Sequence, residues 1–220
     1  MKKHIAIVDY GLGNIRSAEQ SLKKGVQENN IDAEVMITNN VEDVYLASHI
    51  ILPGQGAFET CMEGLKNIRG MIEALSQSVL IQKKPFLGIC VGMQLFFEES
   101  EEFDSQETGL SVFAGSVGRF PDSKKYKVPQ IGWNEVDILQ PKCPIFKGIE
   151  SGSHFYFVHS YYPQPADQSI AATMTDYGVS FVSSVWRENI YATQFHPEKS
   201  QKAGLKLLRN FINHGIIFGT

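Results

Sequence analysis

Short apolar runs alternate with longer segments of helical spacing through the first half of the chain. Ile5 to Val8, Ala33 to Ile37 and His49 to Leu52 are continuous apolar or β-rich runs and read as buried strands. Asp9-Tyr10-Gly11-Leu12-Gly13-Asn14 is turn-like, and Ile15 to Glu28 is compatible with a helix. Pro53-Gly54-Gln55-Gly56 stops the third strand, and a helical region is predicted from about Ala57 to Gln82, broken at Gly70. Pro85 to Ile89 is a further buried strand, followed by helix-like sequence over Met93 to Glu98. This alternation predicts βαβ units and a mostly parallel sheet, with reactive groups at the strand C-terminal ends.

The pattern then changes. Val112 to Phe120, Asn134 to Leu139, His154 to Tyr162, Ser169 to Met174, Ser180 to Trp186 and Ile190 to Phe195 are strand-like with short polar links, which predicts hairpins added to the sheet. Lys199 to Ile217 is an amphipathic helix with Leu205, Leu208, Phe211 and Ile212 on one face. The expectation is one α/β domain over residues 1–220. It has three layers: a twisted, mostly parallel central sheet, flanking helices, and antiparallel hairpins in the second half.

Composition narrows the function classes. Of 220 residues, 43% are hydrophobic and 20% charged, enough for a substantial core. A net charge of −4 without a basic stripe argues against nucleic acid or an anionic membrane as the main partner. No run is long enough to cross a bilayer, and the apolar N-terminal run ends at Asp9, so it reads as a strand and not a signal peptide. The three cysteines, Cys61, Cys90 and Cys143, are widely spaced, with neither a metal pattern nor a disulfide framework. A reducing cytoplasm is expected, and no cofactor or metal.

The candidate chemistry centres on Gly88-Ile89-Cys90-Val91-Gly92, where a strand runs into a helix. Glycine two residues before and after a nucleophile is the pattern of a nucleophile elbow. The expectation is a strained turn with the sulfur exposed at a helix N-terminus, an environment that favours thiolate. Downstream, Gln194-Phe195-His196-Pro197-Glu198 supplies a base and its orienting carboxylate. Residues two apart in an extended segment face one side, and Pro197 keeps His196 out of a regular helix. Cys90, His196 and Glu198 form a nucleophile, base and orienter set. The Pro53-Gly54-Gln55-Gly56 loop and the N–H of Val91 are candidate oxyanion donors.

Blander readings hold elsewhere. Cys61 and Cys143 read as small buried hydrophobes. His154 and His159 lie five apart in a strand, face opposite sides and read as structural. Gly11-Leu12-Gly13 lacks the third glycine of a dinucleotide fingerprint, because Arg16 stands there. Trp133 has a core reading beside an interface reading. Glu98, Glu99, Glu101 and Glu102 read as a solvated helix end, with Glu102 also a candidate ligand for substrate.

The elbow, the Pro-Gly-Gln-Gly-Ala-Phe loop and the His-Pro-Glu segment resemble those of the class I (triad) glutamine amidotransferases, whose fold is flavodoxin-like. Further segments narrow the resemblance to the glutaminase subunits of imidazole glycerol phosphate synthase. These are Asp9–Asn14, Leu87–Gln94, Pro129-Gln130-Ile131-Gly132-Trp133-Asn134, Tyr156–Tyr161 and Gln194–Ser200. They run nearly end to end, in the family order. The resemblance implies hydrolysis of L-glutamine to glutamate and ammonia, through a thioester on Cys90. His196 would act as acid and base, and Glu198 would orient it. Gly54, Gln55, Gly56 and Val91 would form the oxyanion hole. Gln94, Glu102, Ser160 and Tyr161 would bind substrate, and Gln94, one helical turn past Cys90, faces the same way.

The resemblance also implies a heterodimer with a (βα)₈-barrel cyclase subunit. That partner would receive the ammonia to make imidazole glycerol phosphate and an aminoimidazole carboxamide ribotide in histidine biosynthesis. The expected interface includes Trp133 and the turn near Asn14 and Arg16. The same chemistry would equally serve another synthase partner, for example one that modifies surface sugars. A non-catalytic regulatory protein and a solitary cysteine hydrolase are the other readings; the intact triad argues against the first, and the cyclase-contact segments would be unneeded in the second.

Overall fold

The computed structural model describes residues 2–102 and 107–214. Its first half contains β1 (Lys3–Val8), α1 (Ile15–Glu28), β2 (Ala33–Thr38), α2 (Val41–Leu46), β3 (His49–Gly54), α3 (Phe58–Asn67), α4 (Met71–Ser76), β4 (Phe86–Cys90) and α5 (Val91–Gln94). The second half contains β5 (Glu99–Ser100), β6 (Gly115–Arg119), β7 (Gln130–Ile138), β8 (Ser153–His159), β9 (Tyr161–Pro165), β10 (Ala171–Asp176), β11 (Ser180–Arg187), β12 (Ile190–Thr193) and α6 (Gln201–Asn213).

Among the described residues, nine strands form one sheet in the order β2-β1-β3-β4-β12-β11-β10-β7-β8. The first five are mutually parallel and the rest pair antiparallel. The parallel strands are covered on both faces, so they need apolar side chains on both. Ile5, Ala6, Ile7 and Val8 are fully buried, as are Ile50, Ile51 and Leu52. The chain moves one way from β1 to β2 and back the other way to β3 and β4. With right-handed crossovers, that reversal places α1 on one face and the following helices on the other. Accordingly α1 packs with α6, while α4 packs with α2 and α3.

Several boundaries differ from expectation, each for a local reason. The Ala57–Gln82 helical region breaks at Gly70, which takes φ +85°, and continues past α4 as a π-helical turn over Gln77–Ile81. The helix predicted over Met93–Glu98 ends at Gln94. Leu95, Phe96 and Phe97 are all buried, and the chain there pairs with a distant segment where a helix would have bonded to itself. Their carbonyls accept bonds from the N–H groups of Leu110, Ser111, Val112 and Phe113 instead.

The acidic run is solvated as expected at Glu98, Glu99 and Glu101, but it does not end a helix. Glu98 accepts from the Gly115 N–H, Glu101 from the Arg119 N–H and Glu102 from the Phe58 N–H, so the carboxylates satisfy backbone donors. The single strand expected over His154–Tyr162 divides at Ser160: β8 joins the large sheet, and β9 joins a small sheet of order β5-β6-β9. The segment expected to be one strand from Val112 pairs only from Gly115. Helix α6 starts at Gln201 after a 3₁₀ turn and ends at Asn213, with His214 extended; the predicted end at Ile217 lies outside the described residues. The short α2 was missed; its signal was Asn40, whose side chain caps the Glu42 N–H ahead of an acidic first turn.

Candidate active site

Three neighbouring parallel strands end at the same level. In register, Gly54 of β3 stands beside Cys90 of β4, and Thr193 of β12 beside Ile89. Cys90 takes φ 56° and ψ −114°, the strained conformation of a nucleophile elbow. The turn requires glycine because α5 lies directly on β3. A Cβ on Gly92 would overlap the Leu52 carbonyl oxygen, and one on Gly54 would come 2.8 Å from the Val91 carbonyl carbon. The sulfur is not exposed as expected: Cys90 is 4% accessible and forms part of a cavity wall. Helix α5 is a single turn, so its dipole is small and the sulfur depends on neighbouring side chains.

The His-Pro-Glu segment leaves β12 and crosses back over the elbow. The Gln194 N–H donates to the Ser183 carbonyl and the His196 N–H to the Tyr156 carbonyl. Pro197 opens the 3₁₀ turn that brings Glu198 round to His196. His196 Nδ1 lies 2.8 Å from Glu198 Oε1, and both side chains are almost fully buried. Nε2 is buried without a hydrogen-bond partner of regular geometry. Burial alone would lower the His196 pKa. The adjacent Cys90 and Glu198 outweigh that and raise it well above its ordinary value. Cys90 and His196 are therefore an electrostatically coupled pair, suited to exchange a proton.

A cavity of about 260 Å³ gathers the site. Of the residues expected there, Gln55, Gly56, Cys90, Val91, Gln94, Glu102, Ser160, Tyr161 and His196 line it. Gly54 does not; it is packed behind, against Val91 and Gly92. Glu198 also lies behind, reached through His196. The side chain of Glu102 has one oxygen committed to the N–H at the start of α3, 2.7 Å away, and burial raises its carboxyl pKa. Gln94 Nε2 donates to the Tyr161 carbonyl at 3.1 Å and to Gln194 Oε1 at 3.0 Å, so its free polar atom is Oε1, an acceptor. Asn14, Arg16 and Trp133 are not among the lining residues: Asn14 and Arg16 open α1, and Trp133 is 45% exposed on β7, which contradicts its core reading.

Sequence reasoning missed other contributors. Lys199, Pro129, Val158 and His159 also line the cavity. His159, expected to be structural, is buried between the Tyr161 carbonyl at 2.8 Å and Gln130 at 2.9 Å, while His154 on the other strand face is exposed, as the alternation predicted. Gln194 is fully buried, with Nε2 3.7 Å from Cys90 Sγ. Its one signal was its place two residues before His196, in the chain that leaves β12. Tyr10 and Cys61 lie beneath the glycine loop: the Tyr10 hydroxyl donates to the Pro53 carbonyl at 2.7 Å and the Cys61 thiol to the Gln55 carbonyl at 3.6 Å.

A family model described as "Glutamine amidotransferase class-I" matches residues 6–214. The chain is 44% identical over 209 residues to "Imidazole glycerol phosphate synthase subunit HisH" of Rhodospirillum rubrum, covering 94% of this chain and 97% of that one. It is 46% identical over 208 residues to "Imidazole glycerol phosphate synthase subunit HisH 1" of Campylobacter jejuni, covering 94% and 98%. Among solved structures, one titled "Crystal structure of glutamine amidotransferase" has a TM-score of 0.68 at 17% identity, covering 94% and 96%. A glutamine amidotransferase from Thermotoga maritima has a TM-score of 0.60 at 18% identity, covering 90% and 77%; both likenesses speak to fold alone. With a triad-bearing elbow at the ends of β3, β4 and β12, and near end-to-end similarity to HisH subunits, this chain belongs to the class-I glutamine amidotransferase family, in its HisH branch.

Proposed function

We propose that this chain is the glutaminase subunit of an imidazole glycerol phosphate synthase, acting in histidine biosynthesis in the cytoplasm. The observation that carries the reading is the convergence of Cys90, His196 and the buried Glu198 on one cavity. In this reading, the Cys90 thiolate attacks the side-chain carbonyl carbon of L-glutamine. The developing oxyanion is met by N–H groups of the Gln55–Gly56 loop and of Val91. The His196 imidazolium gives its proton to the departing ammonia and leaves a γ-glutamyl thioester. Neutral His196 then takes a proton from water, which attacks the thioester and releases glutamate. Gln94, Ser160 and Tyr161 hold the amino acid end of the substrate. Three unpaired cysteines suit a reducing compartment.

The ammonia acceptor lies on a (βα)₈-barrel cyclase partner. Two features support an interface near Trp133 and the Asn14–Arg16 turn. Trp133 is exposed yet meets Tyr156 edge to face at 6.1 Å, and the Tyr156 carbonyl holds the His196 N–H. The turn after β1 touches the glycine loop through the Tyr10–Pro53 bond. A partner seated there would have a short mechanical route to both halves of the site.

The test is ammonia release from glutamine by the purified chain, alone and with the cyclase subunit of the same genome plus its nucleotide ligand. Low activity alone and a large rise in the complex is the expected result. An unchanged rate would point to another synthase partner, and full activity alone to a solitary hydrolase.

A further inference from the structure

The orientation of two buried amides at the nucleophile is forced. The Tyr161 backbone carbonyl can only accept, and it already receives the His159 Nδ1–H. The end of Gln94 that faces it must therefore be nitrogen. The second proton of that nitrogen goes to Gln194 Oε1 at 3.0 Å. The remaining end of Gln194 is then its NH₂ group, and it faces Cys90 Sγ at 3.7 Å. Reversing Gln94 would set its oxygen against the Tyr161 carbonyl, and reversing Gln194 would set NH₂ against NH₂, between side chains that are almost fully buried. A backbone carbonyl thus dictates, through two side chains, that a donor and not an acceptor meets the sulfur.

We propose that Gln194 is a positioning residue for the nucleophile: its Nε2–H holds the Cys90 sulfur in its rotamer and stabilises negative charge on it. This rests on the glutaminase reading for its kinetic consequence, although the sulfur contact exists without substrate. No long helix stands behind Cys90 to do the same work, because α5 is one turn. A donor bonded to an ionised group contributes more than one between neutral groups. Gln194 also fixes the second proton of Gln94, which ties nucleophile and substrate subsite into one network.

Two variants and a chemical probe test this. Gln194→Leu removes donor and acceptor at similar volume, and Gln194→Glu keeps the acceptor towards Gln94 but turns an anion to the sulfur. Alkylation of Cys90 by iodoacetamide at pH 7, followed by peptide mass, should slow about tenfold in the Leu variant and more in the Glu variant. Glutaminase kcat should fall by a similar or larger factor, with KM for glutamine within about threefold. A merely structural role would act the other way: loosened packing exposes cysteines, so Cys90 would alkylate faster and Cys61 and Cys143 would be labelled too.

Should both variants misfold in that manner, NMR on protein with Gln194 intact supplies the answer. The Gln194 side-chain amide signals should move on Cys90→Ser substitution, and signals that stay put would refute the contact. Alkylation and kcat within twofold of wild type in both folded variants would overturn the proposal. A wild-type protein that alkylates normally but never releases ammonia from glutamine would instead sink the glutaminase reading, leaving the Gln194 contact to be judged on the alkylation rates.

Discussion

The Tyr10 hydroxyl donates to the Pro53 carbonyl at 2.7 Å across 43 residues of sequence, fastening the turn after the first strand to the loop beside Cys90. Cys61 beneath donates to the next carbonyl but one, that of Gln55. A trans peptide points its N–H opposite its carbonyl. Holding the Gln55 oxygen towards the core therefore turns the Gly56 N–H away from it, and Gly56 lines the cavity. Tyr10→Phe keeps the ring and deletes the bond. We expect a loss of about 1 kcal/mol in stability, within the usual worth of a neutral hydrogen bond, and a several-fold drop in glutaminase kcat. Urea unfolding with steady-state kinetics checks both; an unchanged kcat would show that the loop needs no such anchor.

Glu198 does not line the cavity and meets it through His196, 2.8 Å away. Glu198→Gln keeps a carbonyl for the imidazole N–H but loses the charge that favours imidazolium. Turnover should fall by roughly 10²- to 10⁴-fold, as for orienting carboxylates of other triads. Cys90→Ala should abolish glutamine hydrolysis altogether while leaving assembly with the partner intact. Equal losses in the two variants, by single-turnover ammonia release, would assign Glu198 a more direct part.

Trp133 and Ile131 stand out from the same face of β7, 45% and 63% exposed. Exposed neighbouring apolar side chains of this size suit a binding surface. Trp133→Ala should weaken association with the cyclase subunit by about 2 kcal/mol, the scale of an interface hot spot, with a melting temperature within a few degrees of wild type. Calorimetric titration and thermal unfolding of the free chain separate these. Loss of fold with retained affinity would reverse the assignment.

Two buried histidines set the acid limb of stability. Burial pushes His49 down to about 4, against the pull of its bond to the His214 carbonyl, and pushes His159 down to about 3. Unfolded, both titrate near 6.5. Between about pH 6.5 and 4 the unfolded chain therefore binds more protons, so unfolding free energy falls as pH drops, approaching ~1.4 kcal/mol per pH unit for each group. Above pH 7 neither adds to the pH slope. His196 is raised instead, so its contribution is full below about pH 6.5 and is lost progressively as pH rises from there to its native value of about 10. Urea midpoints should drop from pH 7.5 to 5.0, and His49→Gln should flatten that slope. An unaltered slope would clear His49 of the effect.

Local chemistry in the sequence determined a good deal. The parallel strands were legible because burial on both faces demands unbroken apolar runs, as in Ile5–Val8 and His49–Leu52. The elbow was legible because only glycine tolerates the approach of α5 to β3. Cys90, His196 and Glu198 could be grouped because the chemistry needs those three types, although a 3₁₀ turn opened by Pro197, and not the extended segment expected, brings Glu198 to His196.

What tertiary structure alone decided depends on chain segments far apart in sequence. Whether Leu95–Phe97 continued as helix was settled by the segment after residue 107, which takes up their carbonyls. The acidic run became a set of backbone acceptors because strand β6 and the start of α3 come to meet it. The burial of the sulfur, the division of β8 from β9 at Ser160, and the donor that Gln194 turns towards Cys90 all follow from packing across the sheet. Hydrophobic periodicity reports which face of an element is buried, but not which polar atom on another element it will meet there.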